Sequence, residues 1–169
     1  MRTGFSFRKT QYIRIQKMLR NINQPGHNSK YRNVCGTYHP LHKEKFFGNY
    51  EPIFKSKLEY KMMYYLDHND NVVKWNYEAF PIKYLDESTG KIRNYFIDFM
   101  AVVKSGDKLQ TVWIEVKSAS ETHPPGPRAR NNPLAVKTWL KNQSKWKAAK
   151  ALAESRGHKF VVISEKELD

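Results

Sequence analysis

Three residues of this chain, Asp98, Glu115 and Lys117, have types and spacing that could do chemistry. Asp98 lies between Ile97 and Phe99 in an apolar, strand-forming run, where aspartate is disfavoured. Glu115 and Lys117 stand two apart in the next such run. The period of two along a strand puts both charges on one face, and Ile114 and Val116 on the other. A hairpin between the two runs brings Asp98 beside Glu115. Carboxylates that close repel unless a cation lies between them. Mg²⁺ suits the place, being bound through one or two carboxylates plus substrate phosphate, with Mn²⁺ able to substitute. A lysine beside such an ion can orient or help deprotonate a water and offset charge on a pentavalent phosphorus. The ion lowers the pKa of the water and polarises the phosphoryl oxygen. Together these parts make a phosphodiester hydrolase.

The elements that must position this set can be read from periodicity and punctuation. Ser56 and Glu59 have capping-box spacing, and Leu58, Met62, Tyr65 and Leu66 recur at helical intervals, which predicts a helix over 56–67. Strands are expected over 72–78, 80–85, 92–103 and 109–117, with turns at 86–90 and 105–107. Short turns between successive strands imply an antiparallel meander. The stretch 118–132 reads as a loop. Asn132-Pro133 has the form of an N-cap followed by proline at the first helical position, and Gly157 that of a helix stop, so a long helix is expected to about Ser155. Phe160–Ser164 reads as a last buried strand. The order helix, antiparallel strands, helix, strand is an α/β sandwich with a mixed sheet.

The 169 residues suit one domain, and an apolar fraction of 40 % is enough for a core, which excludes a wholly disordered chain. The net charge of +14 asks for a polyanionic partner. It is unevenly spread: residues 1–50 carry +9, 51–115 carry −1, 116–160 carry +8 and 161–169 carry −2. Two basic zones thus flank a near-neutral middle that holds most carboxylates. No apolar run approaches the roughly 18–20 residues that cross a membrane. The lone Cys35 rules out an internal disulfide and fits a reducing compartment. Residues 1–49 read as a basic, partly irregular extension with a short amphipathic helix around Ile13–Ile22. Residues 50–169 read as the compact domain.

Other features carry competing readings. Glu59 either caps its own helix or contacts the metal. Glu78 either joins the acid cluster or pairs with Lys74 or Lys83. Cys35, His39 and His42 have metal-like spacing but lack a nearby fourth ligand for structural zinc. His123 reads as a solvated loop residue. Arg128 and Arg130 stand in the loop that follows the Glu115–Lys117 strand and could clamp a DNA backbone. Lys137, Lys141 and Lys145 form a helical stripe placed for phosphate contact, and Trp139 and Trp146 read as core in preference to base-stacking platforms.

The run from Glu59 through Trp75-Asn-Tyr-Glu78, Tyr95–Phe99 and Ile114–Ser118 to the closing Phe160–Ser164 resembles the PD-(D/E)xK nuclease superfamily, with Ile97-Asp98 in place of the usual Pro-Asp. Within it the chain resembles tailed-phage head completion proteins with a TnsA-like nuclease core. The shared points include Val72, Trp75 and Glu78, Gly90-Lys91, and the Trp139-x-x-Asn142-x-x-Lys145-Trp146 helix. The resemblance covers about residues 45–169. It implies a restriction-endonuclease-like core and a metal-dependent DNA endonuclease acting around DNA packaging. Its partners would be DNA and phage head, portal or neck proteins, and its place the infected host cytoplasm or the virion. It makes Asp98 and Glu115 metal ligands together with the Val116 backbone carbonyl, Lys117 the catalytic lysine and Glu59 the helix acid. The alternatives are a non-catalytic DNA-binding virion component, or a junction-resolving or restriction nuclease of the same fold.

Overall fold

The computed structural model describes residues 35–168. The expected N-terminal amphipathic helix lies outside them. Two short strands, β1 (Gly36–Thr37) and β2 (Ile53–Phe54), pair antiparallel ahead of helix α1 (Lys57–His68). Then come β3 (Val72–Tyr77), β4 (Pro81–Asp86), β5 (Lys91–Phe96), β6 (Phe99–Ser105) and β7 (Lys108–Val116). A 3₁₀ turn (Ala119–Glu121), the long helix α2 (Pro133–Ser155), β8 (Lys159–Ile163) and the short α3 (Glu165–Leu168) complete the described chain.

The main sheet has the order β3-β6-β7-β8. Its first three strands are antiparallel, and β8 joins parallel to β7 after the α2 crossover. This is the expected α/β architecture with a mixed sheet. Alternation along β7 sorts the two faces. Ile114 and Val116 pack with Phe99, Trp75, Met62, Met63 and Leu66 on the α1 side. Trp113 packs with Ala149, Ala153, Ile82, Tyr95 and Ile97 on the α2 side. Glu115 shares the parity of Trp113 and therefore faces α2.

The helix ends follow their sequence signals. At α1, the Glu59 N–H donates to Ser56 Oγ at 3.1 Å, and Glu59 Oε2 accepts from the Lys55 N–H at 2.7 Å. At α2, Asn132 Oδ1 accepts from the Leu134 N–H at 3.0 Å with proline at the first turn, and Gly157 follows the helix with φ of 69°.

Two expectations need correction. The single strand expected over 92–103 is two strands in different sheets. β5 pairs with β4 in register from Pro81↔Phe96 to Asp86↔Lys91, forming a separate ribbon, whereas β6 lies between β3 and β7. The chain changes sheets at Ile97-Asp98, so Asp98 stands at a junction and not in mid-strand. The Glu78 N–H bridges this gap to the Asp98 carbonyl at 3.0 Å, with Glu78 at φ of 45°. Apolar residues continue from Tyr95 to Val103 on either side of Asp98, although β5 is exposed except at Tyr95, and this continuity hides the break.

The compact part also reaches upstream of the expected boundary at residue 50. Tyr38 is buried in the α1-side core, edge-on to Trp75 at 6.0 Å, and Phe46 packs on the same indole at 4.7 Å. The fully buried Asp67 fastens this segment, accepting from the Tyr38 hydroxyl at 2.9 Å, the Leu41 N–H at 2.8 Å and the His42 N–H at 3.1 Å. Polar composition concealed the segment, because its few aromatics do the packing.

Candidate active site

The β6–β7 register ends at Phe99↔Ile114, and one step further sets Asp98 opposite Glu115. Asp98 Oδ2 accepts the Val116 N–H at 2.8 Å, which locks the carboxylate to the end of β7. Lys117, just past β7, brings Nζ to 3.3 Å from Glu115 Oε1. The structure therefore gathers Asp98, Glu115, the Val116 backbone and Lys117 at one sheet end.

The electrostatics are those of a crowded acid pair. Burial pushes the Asp98 carboxyl well above the usual carboxylate range, and the Glu115 charge adds to this. Burial also raises Glu115, with Lys117 opposing. Burial alone would depress Lys117, but the Glu115 and Asp98 carboxylates outweigh it and the net shift is upward. Lys145 is pulled down by burial, partly countered by Glu115, and its ammonium sits 5.3 Å from the Tyr95 ring centre. Glu115 is 2 % exposed, and its Oε2 has no hydrogen-bond partner. Leaving such an oxygen buried and unsatisfied is costly.

That orphaned oxygen tests the fit of a metal. It is a hard donor beside a second carboxylate, and Asp98 Oδ1 accepts no hydrogen bond among the described residues. Two carboxylates suit Mg²⁺, which keeps several waters and takes substrate phosphate as well. Among the described residues no three His, Cys, Asp or Glu side chains gather as a metal group. Glu59 accordingly does not join the pair. Its Oε1 accepts from Ser56 Oγ at 3.2 Å, and its Oε2 from the Lys55 N–H and, at 2.9 Å, from the Tyr77 hydroxyl. It acts on the site through its field, adding to the upward shift of Asp98. Of its two readings, the cap is the one that these contacts describe.

The remaining candidates divide. Glu78 pairs with Lys55 at 2.7 Å, not with Lys74 or Lys83. Cys35 is exposed, His39 faces Glu51 at 3.2 Å, and His42 lies edge-on to His68 at 5.9 Å. His123 Nδ1 lies 2.9 Å from Thr122 Oγ1 in the loop after the 3₁₀ turn. Arg128 and Arg130 are exposed around a turn closed by the Ala129 and Arg130 N–H groups on the Gly126 carbonyl. Lys137 is exposed, whereas Lys141 and Lys145 are half-buried. Trp146 is buried, as the core reading has it, and also contributes a favourable interaction to the Glu115 carboxylate.

Residues 69–165 match the family described as TnsA-like endonuclease N terminal. The chain belongs to this family. The TnsA-like segment contains Asp98, Glu115, Val116 and Lys117 and excludes Glu59. The chain is also 36 % identical, over 138 residues, to a head completion nuclease of Enterobacteria phage T4, a match covering 77 % of this chain and 90 % of that relative. The match reaches beyond the TnsA-like segment, so the relatedness extends past the sheet that carries the acid pair.

Proposed function

We propose that this protein is a divalent-metal-dependent DNA endonuclease that acts in completion of the phage head in infected cells. The observation that carries the reading is the pairing of half-buried Asp98 with buried Glu115, with an unpartnered Glu115 oxygen and a lysine at 3.3 Å, in a TnsA-like endonuclease chain. Membership of the family and likeness to a head completion nuclease support it.

Asp98, Glu115 and the Val116 carbonyl would hold Mg²⁺ or Mn²⁺. When bound, the ion supplies Lewis-acid polarisation of the phosphoryl oxygen and a more acidic water. The chain's own part is positional. The Val116 N–H fixes Asp98, and Trp113 and Tyr95 wall the Glu115 face in apolar surface, which strengthens local electrostatics. Lys117, as an ammonium, orients the attacking water and offsets charge developing on the phosphorus oxygens. Lys145 and Lys141 approach from α2, and Arg128, Arg130 and Lys137 lie outward as backbone contacts. Phage head, portal or neck proteins are the proposed assembly partners.

Incubation of supercoiled plasmid with the protein and Mg²⁺ or Mn²⁺ tests the reading. Nicking by the wild type, lost in Asp98→Ala and Lys117→Ala and on chelation, is expected. Equal nicking by wild type and both variants would reject it. DNA binding without any nicking would favour a non-catalytic virion component.

A further inference from the structure

Past Lys117, the 3₁₀ turn, the end of β8 and the middle of α2 enclose a cavity of about 430 Å³. Ligand sites span roughly 300–1,000 Å³. The α2 wall is Trp139, Gln143 and Trp146, four and three residues apart and so on one helical stripe. The two indoles meet edge to face at 6.2 Å and 87°. The cavity adjoins the acid pair on two sides. Trp146 lines it and also acts on Glu115, and Ala119 in the opposite wall is two residues beyond Lys117.

The walls are fixed before any guest arrives. The Ala119 N–H donates to a Glu165 oxygen at 2.8 Å, and the Thr122 hydroxyl donates to the Ala119 carbonyl at 2.9 Å. The acid in the lining, Glu167, is committed to the Ser164 N–H at 2.7 Å and hydroxyl at 2.5 Å. The Gln143 amide, by contrast, makes no hydrogen bond among the described residues. The pocket therefore offers aromatic surface and the Gln143 donor–acceptor edge, with the His123 ring and the Lys166 side chain also in its lining and able to meet a backbone phosphate beside the guest. A phosphate has no use for indoles, and an aliphatic guest has none for the amide. A nucleobase uses both, stacking on aromatics and hydrogen-bonding through its edge. In a duplex that face is hidden, so the guest is a base out of the stack.

We infer that the Trp139–Gln143–Trp146 pocket takes an unpaired nucleobase of the DNA strand whose adjoining phosphate lies over Asp98, Glu115 and Lys117. This rests on the endonuclease reading and specifies its substrate as DNA with a frayed, extruded or single-stranded nucleotide at the cut. Gln143, with a donor and an acceptor in one plane, matches the edge of adenine.

The test is fluorescence anisotropy of an end-labelled single-stranded oligodeoxyadenylate of about eight nucleotides, titrated with the full chain in EDTA. The comparison ligand is an abasic oligomer of equal length and charge. The oligodeoxyadenylate is expected to bind roughly tenfold more tightly, the scale of one base–aromatic stack. Trp139→Ala and, separately, Gln143→Ala should remove that difference while leaving the abasic oligomer's affinity unchanged. Equal affinity for the two oligomers, or variants that keep the wild-type preference, overturns the pocket. The assay contains no divalent metal and reads no cleavage, so the two readings fail separately. Lys117-dependent nicking without base preference rejects the pocket alone, and base preference without nicking upholds the pocket and rejects the nuclease.

Discussion

Asp67 and Glu115 are both buried acids, at 0 % and 2 % exposure, yet the protein treats them in opposite ways. Asp67 is complete. Three donors from the segment Tyr38–His42 converge on its two oxygens, and the carboxylate closes the fold around them. Glu115 is incomplete. It has one lysine at 3.3 Å, a second carboxylate across the strand pair, the Trp146 indole nearby, and an oxygen with no hydrogen-bond partner. A buried acid whose donors come from the backbone of another segment is an anchor. One left short of donors beside a like charge is a place for something that is not protein.

The comparison breaks most clearly in activity. Lys117→Ala and Asp98→Asn should lower the rate of DNA cleavage by roughly 10²–10⁴-fold, the range for a positioned proton or charge donor. Asp67→Asn, assayed at a temperature where it is folded, should stay within tenfold of wild type. Nicking rates on plasmid DNA measure both.

Stability should respond in the reverse order. Asp67→Ala strands three donors and should cost about 3 kcal/mol or more in urea unfolding. Glu115→Gln, measured without metal, removes one of two repelling charges and should cost far less or stabilise.

The pH profile sharpens the same contrast. Asp98 and Glu115 have folded pKa values raised above the unfolded ones, so the folded protein binds more protons than the unfolded chain between those values. Stability that they contribute is full below the unfolded carboxylate pKa of about 4 and is lost as pH rises through the folded values. Metal-free wild type should therefore lose stability upward from pH of about 4, and Asp98→Asn should flatten that slope. A slope unchanged by the variant would count against the crowded pair.

Glu59 is the intermediate case. Its oxygens are taken up by Ser56, Lys55 and Tyr77, so Glu59→Gln should change nicking less than tenfold while shifting the unfolding midpoint modestly, on the scale of ~1 kcal/mol for a helix cap. A loss as large as that of Asp98→Asn would make it a member of the site. The smallest effect expected is at Lys141. Its replacement by alanine should lower the slope of log affinity against log salt by about one, the signature of a single phosphate contact.

These two acids also mark what the sequence could and could not show. Glu115 and Lys117 were legible as neighbours because period-two spacing fixes them on one face, and Asp98 as their partner because a short turn joins β6 to β7. The break at Ile97-Asp98 was not, since apolar residues run from Tyr95 to Val103 on either side of Asp98 and no glycine or proline separates β5 from β6. The change of sheet is imposed by pairing partners distant in sequence. Asp67 looked like one of several polar residues ending a helix. Only the return of Tyr38–His42 makes it an anchor, and a contact across 25 to 29 residues leaves no local pattern. The helix ends at Ser56, Asn132 and Gly157 were readable because capping is decided within a few residues.

The incomplete acid pair is proposed to hold a divalent metal. Calorimetric titration of Mn²⁺ into the full chain, stripped of metal with EDTA and dialysed, tests it most directly. Saturable binding is expected for wild type and for Asp67→Asn, and no binding for Asp98→Asn or Glu115→Gln. Binding that survives both substitutions at the pair, or a wild-type protein that binds no Mn²⁺, would contradict it.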